Sequence, residues 1–392
     1  MNTGTRGRPA WVNTALVSTA SLILAFAVAM VIMVVTDAEI MAKYAYFIAR
    51  PGDALDATFS KIALTFEAMY VGSLGSATAL TETTAEAAPL IAAGLGVALA
   101  FRAGLFNIGA QGQAVMGALV GAYLGFSIKG LPVLLHLPLV ILAGVLMGAL
   151  WGGVVGLIKA RTGAHEVILT IMMNYVAANI LSYLLKQPFM RQPGASNPIA
   201  PVLEWSATLP RVAGTRLHLG FGLALLAALG CWWLLERTRF GLRLQAVGLN
   251  PDAAATAGTS VGRVTFTTMA LAGGLAGLGG LITVTAPVIL TSYPPQLTVS
   301  IIGTLGFDAI TVALLGRSRP IGVVLAGLLF GALKASRTAM VTIANTPKQL
   351  VDLIQALIVL LVAAPAFVTW LLPFLKERRR GVVRTVPKEA KA

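Results

Sequence analysis

Long, continuous runs of apolar residues limit the possible folds of this chain more than any other feature of its sequence. Many of them approach the ~20 residues that a helix needs to cross a bilayer. They are continuous, whereas the strands of a membrane β-barrel alternate apolar and polar residues. Only 11% of the residues are charged, while soluble proteins carry about 25%. The sequence therefore predicts an all-α, polytopic membrane protein.

Ten helices are predicted to cross the membrane, and the second and third are separated only by Phe101 and Arg102. No small-residue cleavage site follows the first apolar run, so we expect that run to be a retained anchor helix. The predicted spans are residues 12–36, 83–101, 103–127, 132–158, 165–185, 217–235, 264–288, 298–315, 319–335 and 349–372.

The distribution of basic residues predicts that both termini lie in the cytoplasm. In that orientation, 18 of the 29 Lys and Arg residues lie on the cytoplasmic side and 11 on the other, in agreement with the positive-inside rule. These flanking residues explain the net charge of +14. No basic face interleaved with aromatic residues indicates nucleic-acid binding.

Composition divides the chain into three parts. Residues 1–82 hold the anchor helix and an extracytoplasmic segment, residues 83–372 the other nine helices, and residues 373–392 a basic cytoplasmic tail. Residues 37–82 are predicted to form short helices at the membrane surface, and the proline-rich residues 186–216 an ordered loop. Each of these two outer segments either binds a soluble partner or only connects the helices on its two sides.

Residues 236–262 form a polar, basic island between strongly apolar runs. A protein that only crosses the membrane has little use for such a segment, so we interpret it as the place where a cytoplasmic protein drives this one. Arg237, Arg239 and Arg243 either pair with acidic groups on that protein or simply follow the positive-inside rule.

Polar side chains inside the predicted spans are functional candidates because a bilayer does not satisfy them. Asn107 and Gln111 are four residues apart, as are Thr170 and Asn174, so each pair shares a helix face. Glycines at positions 104, 109 and 112 favour close backbone approach or a broken helix, which can bind a polar solute. These residues either line a solute pathway or hold helices together. The candidate pathway residues are Asn107, Gln111, Gln113, Thr170, Asn174 and Asp308.

Asp308 is predicted to lie near the middle of the membrane, since it precedes Arg317 by nine residues, or about 13 Å of helix. An isolated carboxylate there is costly, so it must be neutral, paired or in contact with water. Solute contact, proton coupling and an inter-helix hydrogen bond are all open roles. In the seventh span, the glycines at 273, 274, 277, 279 and 280 predict tight helix packing.

The sequence contains no motif typical of an ATP-binding protein, a metalloenzyme or a catalytic site. No phosphate-binding Gly-x-x-x-x-Gly-Lys-Ser/Thr loop occurs, so the chain is not expected to bind ATP through such a loop. One cysteine and three histidines make a metalloenzyme improbable. His165 and Glu166 do not form a catalytic set, because a glutamate at a helix start is favourable by itself.

Four stretches resemble the permeases of bacterial ATP-binding-cassette (ABC) importers in the branched-chain amino acid and ribose group, especially the nucleoside and simple-sugar subfamily. They are AFRAGLFNIGAQGQ (100–113), EVILTIMMNYV (166–176), LQAVGLNPDAA (244–254) and FDAITVALLGR (307–317). The resemblance covers residues 85–372. Members of this family often have Glu where this chain has Gln111, so a cation site at this position is not supported.

The resemblance implies two permease subunits, often different chains, together with ABC ATPase subunits and an extracytoplasmic solute-binding protein. ATP and Mg²⁺ would bind to the partner ATPase, and this chain would hold no cofactor. The implied location is the bacterial inner membrane, in contact with lipid, with residues 83–372 as the permease core.

The resemblance also implies that residues 236–262 couple the permease to the ATPase. Gly248, Asn250 and Pro251 would turn the chain, and Asp252 would cap a short helix of residues 253–257. The candidate coupling residues are Arg243, Gly248, Asn250, Pro251, Asp252 and Ala253.

The function that follows is import of a nucleoside or related sugar-containing solute by alternating access, without an ATPase site in this chain. The alternative is a proton-coupled secondary transporter that uses Asp308. A structural membrane subunit without a solute path is the third possibility.

Overall fold

The computed structural model describes residues 10–286, 295–347 and 349–371, and these residues are almost entirely helical. The α-helices are α1 (Ala10–Thr36), α2 (Ala38–Tyr44), α3 (Pro51–Ser73), α4 (Ala77–Arg102), α5 (Ala110–Ser127), α6 (Val133–Thr162), α7 (Glu166–Leu184), α8 (Leu219–Arg237), α9 (Arg239–Leu249), α10 (Pro251–Thr256), α11 (Val261–Thr285), α12 (Leu305–Leu315), α13 (Pro320–Ala335), α14 (Arg337–Ala344), α15 (Gln349–Ala363) and α16 (Pro365–Leu371). A single 3₁₀ turn, Trp205–Ala207, interrupts the long α7–α8 connection.

The all-α, polytopic prediction is confirmed. Among the described residues, 7 helical segments are long and apolar enough to cross a membrane. The other three predicted spans coincide with α5, α12 and α15, which are shorter or more polar. The cytoplasmic position of the termini stays a prediction, and residues 373–392 lie outside the described part of the chain.

The centre of the fold is a contact between α6 and α11 that depends on glycine. A Cβ atom placed on Gly273 of α11 would lie 2.2 Å from the carbonyl oxygen of Gly148 on α6, and one on Gly277 would lie 2.7 Å from that of Gly144. Glycines four residues apart on α6 therefore let the two backbones touch, as small residues do between membrane helices. The predicted role of the α11 glycines in tight packing is confirmed.

The region between residues 37 and 82 differs from the predicted set of short helices. α3 is a single helix of 23 residues, and α4 already begins at Ala77. Pro51 occupies the first turn of α3, where its missing N–H group costs nothing. Asp37 caps α2 and forms an ion pair of 2.9 Å with Lys61 on α3. Residues 186–216 are largely irregular, as predicted.

Candidate functional site

The chain between α4 and α5 leaves the helical conformation at the predicted glycines. α4 ends at Arg102 and α5 begins at Ala110, and Gly104 has a φ of +71°, which glycine adopts without strain. The backbone N–H of Phe106 donates to Glu166 Oε1 at 3.3 Å. Glu166 in turn forms an ion pair of 2.6 Å with Lys159. The broken helix is therefore present, and residues 103–109 are called the interrupted segment below.

Asn107 and Gln113 form a reciprocal amide pair inside the protein. Asn107 Nδ2 donates to Gln113 Oε1 at 3.1 Å, and Gln113 Nε2 donates back to Asn107 Oδ1 at 3.3 Å. Asn107 Oδ1 also accepts from the N–H of Gly109 at 3.0 Å. The two side chains are 0% and 1% exposed. In this conformation they support the backbone turn that begins α5.

α7 supplies partners for the same turn through Asn174 and Thr170. Asn174 Oδ1 accepts from the N–H of Gly112 at 2.8 Å, and its Nδ2 donates to the carbonyl of Ile108 at 3.0 Å. The Gly112 N–H is one of the groups that a helix start leaves without a partner in its own helix, and the Ile108 carbonyl lies just before that start. Thr170 is 0% exposed and packs so closely that a Cβ on Gly109 would lie 3.0 Å from its Cβ.

Gln111 links this turn to a second interruption, which precedes α12. Its Nε2 donates to the carbonyl of Gly303 at 2.7 Å, and its Oε1 accepts from the N–H of Gly306 at 2.7 Å. Gly303 has a φ of +51°. The starts of α5 and α12 therefore meet at Gln111, which is half-buried. The structure thus brings five of the six candidate pathway residues into one cluster.

Asp308, the sixth candidate, forms an ion pair with a residue that sequence analysis did not connect with it. Lys334 Nζ lies 2.6 Å from Asp308 Oδ2, and the side chains are 15% and 14% exposed. Thr304 Oγ1 also donates to this oxygen, at 3.1 Å. Of the three expected states, the structure shows the paired one.

The sequence offered one indication of this pair, because a carboxylate predicted to lie in mid-membrane needs a cation nearby. Lys334 was not considered as that cation, since the predicted topology places it at the outer end of its helix. In this structure the Lys334 ammonium is the charge partner of the Asp308 carboxylate. The interpretation of Asp308 as a proton carrier receives no support from this arrangement.

The polar island folds into two helices, α9 and α10, that meet at Asn250. Asn250 Oδ1 accepts from the N–H of Ala253 at 3.0 Å and caps α10, while Pro251 occupies its first turn. The prediction that Asp252 caps this helix, over residues 253–257, was wrong. Asn250 has the extended backbone that an N-cap needs, and Asp252 lies exposed within the first turn.

Gly248 also differs from its predicted place in a turn, because it lies inside α9. A Cβ atom on Gly248 would lie 2.2 Å from the carbonyl oxygen of Arg102, and one on Gly104 would lie 3.2 Å from that of Gly248. Gly248 therefore lets α9 rest directly on the end of α4 and on the interrupted segment. The polar island is thus in backbone contact with the site.

The exposed side of α9 and α10 carries apolar residues that sequence analysis missed. Leu242 is 72% exposed and Leu249 89% exposed, beside the exposed residues Arg243, Asp252 and Ala253. No signal in the sequence separates these leucines from Leu244 of the same helix, which is fully buried. This group of five residues is called the α9–α10 surface below.

Comparison with known proteins gives consistent results. Residues 79–363 match the family described as "Branched-chain amino acid transport system / permease component". The guanosine ABC transporter permease protein NupP of Bacillus subtilis is 36% identical over 81% of this chain and 90% of its own length. The glucose ABC transporter permease protein TsgB13 of Haloferax volcanii is 35% identical over 76% and 80%. The nucleoside ABC transporter permease protein NupB of Lactococcus lactis is 32% identical over 79% and 86%.

The two bacteria among these species each contribute a second similar permease. NupC of Lactococcus lactis is 31% identical over 62% of this chain, and NupQ of Bacillus subtilis is 28% identical over 64%. No solved structure matches the chain.

Proposed function

The chain belongs to the branched-chain amino acid transport permease family, and from this premise we propose that it imports nucleosides or related sugar-containing solutes as an ABC transporter subunit. The names of its relatives support this solute class, because they include guanosine, nucleoside and glucose permeases. The chain itself supplies the membrane path. ATP and Mg²⁺ bind to a partner ATPase, and this chain holds no cofactor.

The contact between α9 and the interrupted segment is the observation that carries the proposal. Gly248 touches the backbone of Arg102 and Gly104, and α5 starts at Ala110, six residues after Gly104. A displacement of α9 therefore acts directly on the turn that Asn107, Gln113 and Asn174 support. The ATPase binds to the α9–α10 surface, and ATP binding shifts the permease between outward-open and inward-open states.

The polar cluster borders the solute path in this proposal. Gln111 and Asn174 are half-buried, so each retains a side that a passing solute can reach. Asn107, Gln113 and Thr170 are fully buried and act by fixing the backbone. Asp308 holds the start of α12 through Lys334, beside the Gln111 contact with Gly306.

The partners follow from the family and from the paired relatives. We propose a second permease subunit of different sequence, as NupP and NupQ or NupB and NupC suggest. An extracytoplasmic solute-binding protein delivers the solute, and the assembly lies in a bacterial inner membrane. No nucleic acid takes part.

Uptake of labelled guanosine, uridine and glucose, in cells with and without this chain, tests the proposal. Each assay is repeated with ATP depleted, and separately with a protonophore while ATP is maintained. We expect nucleoside uptake that requires the chain and stops only when ATP is depleted. Uptake that stops with the protonophore alone would overturn the proposal.

The coupling step has its own test in Leu249→Asp. Burial of a leucine contributes about 1.5–3 kcal/mol, so we expect at least a tenfold loss of the ATPase that copurifies with the permease. Val212→Asp is the control, since Val212 is 55% exposed in the 186–216 loop, which is predicted to lie on the other side of the membrane. Equal copurification of ATPase with both variants would show that the α9–α10 surface does not bind the ATPase.

A further inference from the structure

One side of α7 has no neighbour among the residues that the structure describes. Its other side packs on the start of α5 through Thr170 and Asn174. The exposed residues recur at spacings of three and four, so they form a single stripe along the helix. They are Ile168, Met172, Tyr175, Val176, Ala178, Asn179 and Tyr183.

Two polar residues of this stripe lie deep within the span. Tyr175 is about 14 Å and Asn179 about 20 Å along α7 from its start, and the helix has 19 residues. Tyrosines that face lipid usually lie at the membrane surface, where the hydroxyl group reaches water. Tyr175 is 64% exposed, and its hydroxyl has no hydrogen-bond partner within residues 10–286, 295–347 and 349–371.

The amide of Asn179 is only half satisfied. Its Nδ2 donates to the carbonyl of Tyr175 at 2.8 Å, and its Oδ1 accepts no hydrogen bond from the described residues. Lipid tails offer no donor for that oxygen or for the Tyr175 hydroxyl. A stripe with both groups at this depth is expected to face water or another polar surface.

The neighbouring helix α6 carries an exposed stripe of purely apolar composition, as expected for contact with lipid. Its large exposed hydrophobic residues are all leucines, at positions 134, 135, 139, 142, 146, 150 and 157. Leu150 is 60% exposed, close to the value for Tyr175. Leu150 and Tyr175 lie at a similar depth, because the adjacent residues Gly112 and Gln113 of α5 contact both helices. Gly112 binds Asn174 of α7, and Gln113 reaches Gly152 of α6.

We propose that the exposed stripe of α7 lines the solute path and faces the second permease subunit across it. This inference rests on the proposed function and adds to it the wall that the solute meets. The position of the stripe agrees with this role. α7 supports the start of α5, and the half-buried Gln111, a candidate pathway residue, lies at that start. Neither Tyr175 nor Asn179 is charged, and the solute they fit is neutral.

The chemistry of the stripe favours a nucleoside over a free sugar. The ring of Tyr175 offers a flat apolar surface on which a nucleobase can stack. One turn away, the Asn179 carbonyl oxygen can accept a hydrogen bond from an amino or hydroxyl group of the solute. Both contacts are weak alone, which suits a path from which the solute must leave.

Cysteine accessibility in the complete transporter tests this assignment. The chain has one cysteine, the buried Cys231, which Cys231→Ala removes. In that background, Tyr175→Cys and Asn179→Cys are compared with Leu150→Cys and Leu146→Cys, and Leu146 is 57% exposed. Membranes that contain the assembled transporter are treated with a charged, water-soluble thiosulfonate, and the modified fraction is measured over time.

Thiosulfonates react with the thiolate, which forms in water and not in lipid. We therefore expect the two α7 cysteines to react at least about tenfold faster than the two α6 cysteines. Guanosine at saturating concentration should slow the α7 reaction, whereas glucose should slow it less. Equal rates at α6 and α7, or no protection by any of the solutes tested, would overturn the inference.

Different results would contradict the α7 solute path and the proposed import function. If wild-type membranes take up guanosine with ATP but the α7 cysteines remain unreactive, the path lies elsewhere and the proposed function stands. If wild-type membranes show no ATP-dependent uptake, the proposed function fails.

Two further variants, Tyr175→Phe and Tyr175→Leu, distinguish a loss of ring stacking on the solute from a loss of folding. Phe should keep guanosine uptake and Leu should reduce it, while the two variants accumulate equally in the membrane.

Discussion

Replacement of Lys334 with methionine tests the buried ion pair with Asp308. The ammonium and carboxylate groups are 2.6 Å apart and at most 15% exposed. In the variant, Thr304 Oγ1 at 3.1 Å remains as a neutral donor to a carboxylate that has lost its cation. Removal of one partner of a buried pair costs about 3–5 kcal/mol. We expect Lys334→Met to lower the free energy of unfolding by an amount in that range.

Asp308→Asn removes the charge that Lys334→Met leaves without a cation. The double variant Asp308→Asn/Lys334→Met has no unpaired charge and should be more stable than Lys334→Met by about 2 kcal/mol.

The assay is equilibrium unfolding in mixed micelles of a mild detergent and dodecyl sulfate, for wild type, both single variants and the double variant. Penalties for the single variants below about 1 kcal/mol, as for an exposed pair, would refute the reasoning. The same conclusion would follow if the two single penalties simply added in the double variant. The double variant should also keep ATP-driven uptake, which a proton carrier at Asp308 would not allow.

Two further predictions concern helix packing and the α1–α3 region. Gly148→Val should yield little folded protein on size-exclusion chromatography, because its Cβ would lie 2.4 Å from the Gly273 carbonyl oxygen. Gly230→Ala, with nothing within 4 Å, is the control, and equal yields would contradict the packing argument. A hydrogen bond from Lys61 lowers the pKa of Asp37. This contact therefore stabilises the fold at pH values above the ordinary pKa of aspartate, and the stabilisation is lost as the pH falls through the lower pKa of the folded state. Local opening of α2 and α3, measured by hydrogen exchange, should therefore increase below about pH 4 in wild type but not in Asp37→Asn. The same pH dependence in both proteins would contradict a role for the Asp37–Lys61 contact.

Local patterns in the sequence were sufficient for several features of the site. Glycines at 104, 109 and 112 favoured close backbone approach or a broken helix, and Gly104 shows both, with a φ of +71° and a close contact with Gly248. The family resemblance implied a short helix at residues 253–257, and α10 forms there over Pro251–Thr256, whereas α9 was not predicted. The broken helix and α10 each depend on neighbours in the chain, which a sequence displays directly.

Details that depend on competition between adjacent residues were less predictable. Asn250 and Asp252 are both good N-cap residues, and the choice between them follows from where Pro251 fits in the first turn. Gly248 is suited both to a turn and to a close contact between helices. Its actual role, against Arg102, depends on a residue more than a hundred positions away.

The sequence by itself determined that this chain is a helical membrane protein and where its long apolar helices lie, because apolar length is a local property. Only the tertiary structure decided the partners of the polar residues. It paired Asp308 with Lys334, placed Gln111 between two helix starts, and left one side of α7 open. The physical reason is that a buried polar group requires some partner, and the chain's hydropathy pattern does not specify which of several distant groups will meet it.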